Sequence, residues 1–325
     1  MTTTTFSTPS KILIRQKWAK PLLQFIHDHL NQKLLYLGLP GPEAEDVYEW
    51  IDYLHIVFAF QNEDDRYPNA YQTLFDKLDL LEEKDKIKSF SLFDGFMERV
   101  IMEGIDNQNN IFNLNELVTV YNLDYCSQID FPIESQTLEG EPLLIGKFDS
   151  IKRLLEIQNS LKDISCKFVL FLTIHCSYKD KQTKQYFDKE PFKSYIIDVN
   201  KKLKGKGHEK NARSLRLYII HNLNTFFNDE GFAPEFLPTI FYEGIGGTPM
   251  ILFTVIGTKA EVQKSNVEID NIIKSKFIVP NENDSDFINQ KLDNLDEIEH
   301  MITDSVEAFK KSDTFIQYWK THKDA

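Results

Sequence analysis

Apolar runs of strand length alternate along this chain with longer stretches in which apolar residues recur every three or four positions, a pattern that predicts an α/β protein. Leu34–Leu37 is a short apolar run, Gly38-Leu-Pro-Gly41 a tight turn, and Pro42 a helix start. Glu43, Glu45 and Asp46 follow, at the end of a helix where partial positive charge favours carboxylates. Val47, Trp50, Ile51 and Leu54 then form one apolar face, and His55–Phe60 is the next apolar run. Strand, turn, helix and strand within about thirty residues make a βαβ unit. Its crossover forces the two strands parallel. Ligands of such folds bind outside the carboxyl ends of the strands, which makes the Gly38–Gly41 turn the first candidate site.

The same pattern extends in both directions. Pro21–Leu30 and residues 69–83 read as amphipathic helices, Ile87–Phe93 as a third strand ending at Asp94-Gly95, and Phe96–Met102 as a short helix. Glu116–Tyr121 reads as a strand that runs out into Asn122-Leu-Asp-Tyr125, and Asp130–Gly146, rich in Pro, Gly and Glu, as a long loop. Phe148–Leu161 is an amphipathic helix, and Lys167–His175 is a strand covered on both faces. Helices are expected at Lys181–Lys202 and Asn211–Phe227. Thr239–Tyr242 and Met250–Val255 are joined too closely for a helical crossover, so they must pair antiparallel. The division is then residues 1–32 as a polar tail and helix, 33–260 as the α/β domain, and 261–325 as a helical extension. Between residues 281 and 309 that extension carries nine acidic residues and one lysine.

Charge narrows the partners. A net charge of −13 argues against surface-wide attraction to nucleic acid or anionic membranes. No apolar run approaches a membrane span and no signal-peptide pattern opens the chain, so a cytoplasmic protein is expected. Cys126, Cys166 and Cys176 lack metal-ligand spacing, and no metal site is expected. One segment runs against the acidic whole: Lys201–Arg216 holds seven cations against Glu209. It is either a solvated face or a phosphate-binding segment. A nucleic-acid partner would be met through Lys204, Lys206, Lys210 and Arg213.

Candidate chemistry sits where strands end. Gly38 and Gly41 serve either turn geometry or a ligand, and no P-loop pattern is present. At Asn122 and Asp124, an amide carbonyl could orient a substrate amine and a carboxylate could accept its proton; alternatively Asp124 caps the segment that follows. His175, closing its strand, is either a general base or a hydrogen-bonded histidine at the rim of the core.

Five helix-linked strands followed by an antiparallel hairpin, with a glycine turn after the first strand, resemble the class I S-adenosylmethionine-dependent methyltransferase fold over residues 33–257. The resemblance implies a Rossmann-like sheet whose last strand inserts antiparallel. It also implies S-adenosylmethionine as cofactor, held by Gly38 and Gly41, by Gln61 or Glu63 after the second strand, and by Asp94 after the third. Asn122-Leu-Asp-Tyr125 is similar to the Asn/Asp-Pro-Pro-aromatic segment of base-modifying members, which assigns catalysis to Asn122, Asp124 and Tyr125. Here the family's acidic residue before the glycine turn is replaced by Tyr36 or Leu37, and both prolines are missing. A sulfonium tolerates the acidic rim at Glu43, Glu45 and Asp46 better than a pyrophosphate would. The competing expectation is the same fold without the chemistry, serving a protein partner.

Overall fold

Alternation along the strands sets the layering of this molecule. The computed structural model describes residues 7–63, 68–125, 127–136, 141–161, 167–175, 193, 207–237, 239–245 and 248–259. It opens with α1 (Pro9–Leu13), a π-helical stretch (Ile14–Ala19) and α2 (Lys20–Leu30), then β1 (Leu34–Gly38), α3 (Glu45–Trp50), β2 (Leu54–Gln61), α4 (Ala70–Glu83), β3 (Ser89–Asp94) and α5 (Met97–Glu103). There follow β4 (Val120–Asp124), the hairpin β5 (Ile133–Gln136) and β6 (Pro142–Ile145), α6 (Lys147–Ser160), β7 (Lys167–His175), α7 (Gly207–Asp229), β8 (Phe232–Phe236), β9 (Ile240–Glu243) and β10 (Pro249–Lys259).

The main sheet runs β3-β2-β1-β4-β7-β10-β8, with β9 paired to β10. The five strands from β3 to β7 are mutually parallel. β10 is antiparallel to each of its neighbours, β7, β8 and β9. A mainly parallel sheet flanked by helices, with the last strand inserted antiparallel, is the Rossmann-like arrangement the sequence led us to expect.

Leu34 and Tyr36 point to one face, where Trp18, Trp50, Val57, Leu74 and Leu78 are buried. Leu35 and Leu37 point to the other, against Phe60, Val100, Leu154, Phe168 and Leu223. Each such side chain, fully buried, contributes about 1.5–3 kcal/mol. Among the described residues no helix is long and apolar enough to cross a membrane.

Several elements differ from their sequence reading. Gly41 and Ala44 both adopt left-handed backbone (φ +68° and +50°), so Pro42 lies in a turn and α3 starts only at Glu45. Leu54 consequently belongs to β2. The fourth strand starts later than expected, and ahead of it the Gln158 amide meets the Val118 backbone. It accepts from that backbone N–H (3.1 Å) and donates to its carbonyl (2.8 Å). Asn122 pairs with Gly38 and Phe171 and Asp124 with Thr173, so both lie inside β4 rather than beyond it. The expected loop 130–146 contains the β5–β6 hairpin. β8 escaped notice because Pro234 reads against a strand, which an edge position tolerates.

The polar start of the chain is helical from Pro9, with Thr8 as N-cap: the Lys11 N–H donates to Thr8 Oγ1 (3.3 Å) and proline occupies the first turn. Apart from residue 193, the helix expected at 181–202 lies outside the described residues, as do the extension 261–325, the three cysteines, Lys204 and Lys206.

Candidate functional site

Parallel pairing brings the carboxyl ends of four strands to one edge. Gly38 pairs with Ala59 on one side and Asn122 on the other, and Gln61 pairs with Asp94. Gly38 is glycine for a packing reason: a Cβ there would collide with the Asn122 carbonyl oxygen, which accepts from the Leu39 N–H at 3.0 Å. Gly41 differs, since among the described residues, its chain neighbours aside, no atom lies within 4 Å of where its Cβ would stand.

At the next two strand ends, the Gln61 amide donates to the Asn62 carbonyl (2.9 Å), and exposed Glu63 lies two residues beyond β2. Asp94 is fixed through its backbone, whose N–H donates to Asp106 Oδ2 (3.0 Å) and whose carbonyl accepts from the Asn107 N–H (2.9 Å). Asp106 also accepts from the backbone of Gln108 and Asn110. Burial would raise its pKa, but the hydrogen bond from the Asn110 side-chain amide (2.9 Å), together with these backbone ones, outweighs it and holds the carboxyl below its usual value.

One strand over, alternation in β4 turns Asn122 and Asp124 to the same face. The Asn122 amide donates to the Tyr36 hydroxyl (3.3 Å) and to Asp46 Oδ2, and the Tyr36 hydroxyl also donates to Asp46 Oδ2 (3.3 Å). Arg15, from the π-helical stretch, pairs with Asp46 Oδ1 through Nε (3.1 Å) and with Glu45 through Nη1 (3.1 Å). Lys11 of α1 places Nζ 2.5 Å from Asp124 Oδ2. Burial pushes the Asp46 carboxyl up to about 6, against the pull of Arg15. Burial first, and then Asp46, push the Tyr36 phenol well above its usual value, so it stays neutral. Burial works against the Arg15 charge, but Asp46 and Glu45 outweigh it and its pKa rises.

A cavity of about 40 Å³ remains among Lys11, Asp46, Asn122, Asp124, Trp50 and Phe171. That is room for a water molecule or two, far below the several hundred Å³ of a typical ligand pocket.

Tyr125 faces the other way. Its N–H continues the ladder to the Thr173 carbonyl (2.9 Å), while its ring lies 5.2 Å below Lys147 Nζ on the α5–α6 side. Lys147 is 2% exposed; it donates to the Phe131 carbonyl (2.9 Å) and stands 3.7 Å from Glu98. Burial lowers the Lys147 pKa and raises that of Glu98, each opposed by the other's charge. His175 ends β7, its N–H donating to the Ser127 carbonyl (3.1 Å), and burial lowers its pKa.

The fold thus gathers Gly38, Gln61 and Asp94 along one edge and sets Asn122 with Asp124 beside them, while Tyr125 lies on the opposite face. Lys210 and Arg213 lie in the first turns of α7. Sequence reasoning missed Lys11 and Arg15 entirely and read Asp46 as a helix-dipole partner or part of an acidic rim, not as the partner of Arg15, Tyr36 and Asn122. The only signal was the presence of cations at the end of a nominal tail. Among the described residues no group of three or more His, Cys, Asp or Glu could hold a metal ion.

No protein-family model matches this sequence, and no curated protein does. Similar solved structures include TYW2 of M. jannaschii in complex with AdoMet, at 11% identity and a TM-score of 0.39, over 79% of this chain and 80% of that one. Another is a SAM-dependent methyltransferase from Agrobacterium tumefaciens, at 14% identity and a TM-score of 0.37, over 78% of this chain. This chain spans 64% of that protein's length, less than two thirds. Strand order and register, rather than these likenesses, give the chain its class I methyltransferase-like, Rossmann-like fold.

Proposed function

We propose that this chain is an S-adenosylmethionine-dependent methyltransferase, with the donor held along the ends of β1, β2 and β3 and the acceptor at the end of β4. The observation that carries this reading is the register pairing Gly38 with Asn122. It sets a glycine turn beside a strand end that bears an amide and a carboxylate on one face. Gly41, with open space where a Cβ would stand, leaves the turn free to take a ligand's backbone-hugging part. Gln61 or Glu63 would meet the ribose hydroxyls and Asp94 the adenine. The group supplies an electrophilic methyl on a sulfonium when bound.

The rest falls to the chain's own side chains. Asn122 orients the acceptor, Asp124 takes the proton the acceptor nitrogen loses, and the nearby carboxylates Glu45 and Asp46 favour a cationic donor over a phosphate-bearing one. Calorimetry with S-adenosylmethionine and S-adenosylhomocysteine tests the reading. Binding that Gly41→Val abolishes, with the melting transition retained, is expected. A response to NAD or ATP but to neither of these ligands would overturn it.

One observation favours a second reading. Asp46 and Asp124 are already paired with Arg15 and Lys11, and the space left among them is small. A catalytically degenerate Rossmann-like partner protein would look like this, and it would bind neither ligand. A nucleic-acid acceptor is the weaker variant of the first reading, because phosphates would meet Asp46, Glu45 and Asp124. Were it correct, replacing Lys204, Lys206, Lys210 and Arg213 with Ser would flatten the salt dependence of binding by roughly 0.7–0.9 log units for each phosphate no longer neutralised.

A further inference from the structure

Two parts of the N-terminal segment are held to the domain in different ways. Trp18 is 0% exposed and donates from Nε1 to Thr254 Oγ1 (2.9 Å), and beyond it Leu22, Leu23 and Ile26 fix α2 in the core. Ahead of Trp18, none of the apolar side chains described in Pro9–Arg15 is buried: Ile12 is 40% exposed and Ile14 packs only partly. Charge holds this part, together with the bond from Trp50 Nε1 to the Arg15 carbonyl (3.3 Å). Lys11 pairs with Asp124, and Arg15 with Asp46 and Glu45. The part is one piece, since Thr8 caps α1 and Ser7 Oγ accepts from Arg15 Nη1 (2.8 Å). Its junction with the anchored part falls within the π-helical stretch Ile14–Ala19, a rare winding that recurs at functional sites.

As a cover for the strand end, the charged part fits loosely. Asp124 Oδ1 stays buried without a hydrogen bond, which few buried acceptors do. The cavity of about 40 Å³ lies between Lys11, Ile14 and Arg15 on one side and Asn122, Asp124 and Phe171 on the other. Ion pairs that part at such an edge regain water, whereas Trp18 and Leu23 cannot leave without exposing apolar surface. Resting on the donor reading above, we propose that Pro9–Arg15 is an autoinhibitory strap over the end of β4. In the closed state of this structure it covers Asn122 and Asp124 and neutralises Asp46 and Glu45. In the open state it pivots within the π-helical stretch while Trp18 and α2 stay in place. Opening bares Asn122 and Asp124 to an acceptor and frees Glu45 and Asp46 to face a cationic donor. The small cavity then belongs to the closed state alone.

The test has two arms on the full chain, with Lys11→Met/Arg15→Met as the variant that removes both charges and keeps the stems. The first arm uses no donor: hydrogen exchange read by mass spectrometry compares residues 8–16 with 20–30. In the double variant the first stretch should exchange about tenfold faster than in wild type, with the second unchanged. Lys11→Arg, which keeps the charge, should match wild type, and thermal melts check that each variant is folded. No acceleration in the folded double variant, or acceleration of both stretches together, overturns the strap.

The second arm separates a gate from a merely loosened terminus. In calorimetry, S-adenosylmethionine should bind the double variant about tenfold more tightly than wild type. S-adenosylhomocysteine, which lacks the sulfonium charge, should gain less. Donor binding of equal or lower affinity in the double variant overturns the strap and leaves the donor reading standing. Absence of heat from both proteins removes the donor reading and the strap with it.

Discussion

Asn122 and Asp124 project from one face of β4, Leu123 and Tyr125 toward the other, and the two polar groups they join are built differently. On the Asn122 face the ionic pairs are shared: Arg15 divides itself between Asp46 and Glu45, and Asp46 also accepts from Tyr36 and Asn122. Several partners remain if one is lost, and a small cavity adjoins them. On the Tyr125 face, Lys147 stands 3.7 Å from Glu98 and feels the Asp130 charge as well, together with one carbonyl and an aromatic ring. One strand end thus carries a group arranged to exchange partners and another arranged only to stay buried. Removing one member should therefore cost more on the Tyr125 face, and ligand effects should appear only on the other.

The largest effect is expected from Glu98→Ala. It takes from buried Lys147 the larger of the two carboxylate charges acting on it, leaving Asp130, and the loss should be about 3 kcal/mol of unfolding free energy by denaturant titration. The double variant Glu98→Leu/Lys147→Met should recover most of it. A loss below about 1 kcal/mol in the single variant would show that Asp130 or water suffices for Lys147 and would erase the contrast.

Next comes a pH effect confined to the Asn122 face. The Asp46 carboxyl is pushed up to about 6 in the folded chain, against about 3.9 when unfolded. Between those values the folded state keeps a proton the unfolded chain has released. Stability relative to Asp46→Asn should therefore be greatest below about pH 4, fall as pH rises to about 6 by up to about 3 kcal/mol, and level off above. Parallel stability curves for wild type and variant would remove the shift.

Gly38→Ala should cost about 1–3 kcal/mol, because the new methyl meets the Asn122 carbonyl and must force β1 from β4. Thermal melts should show the loss and circular dichroism a retained sheet. The smallest effect belongs to Gly41→Ala, about 1 kcal/mol from left-handed backbone strain alone, since the space beside Gly41 is open. If Gly41→Ala proves the more damaging of the two, the roles assigned to these glycines are reversed.

The sheet and its layers were legible in the chain before any packing was known. Apolar runs such as Lys167–His175, the three- and four-residue spacing of the helices, and the short link before Pro249 follow from local periodicity and chain reach. They specify a mainly parallel sheet with an antiparallel end, and they place Gly38, Gln61, Asp94 and Asp124 at strand ends. Which of those residues meet was settled by packing between distant segments. Pairing with β1 and β7 carried β4 through Asn122 and Asp124, and alternation set Tyr125 on the opposite face. Lys11 reaches Asp124 across 113 positions, and Asn122 reaches Asp46 across 76. Periodicity records which face a residue shares with its near neighbours. Pairings of charge between distant segments depend on packing the whole core, and no local pattern carries them.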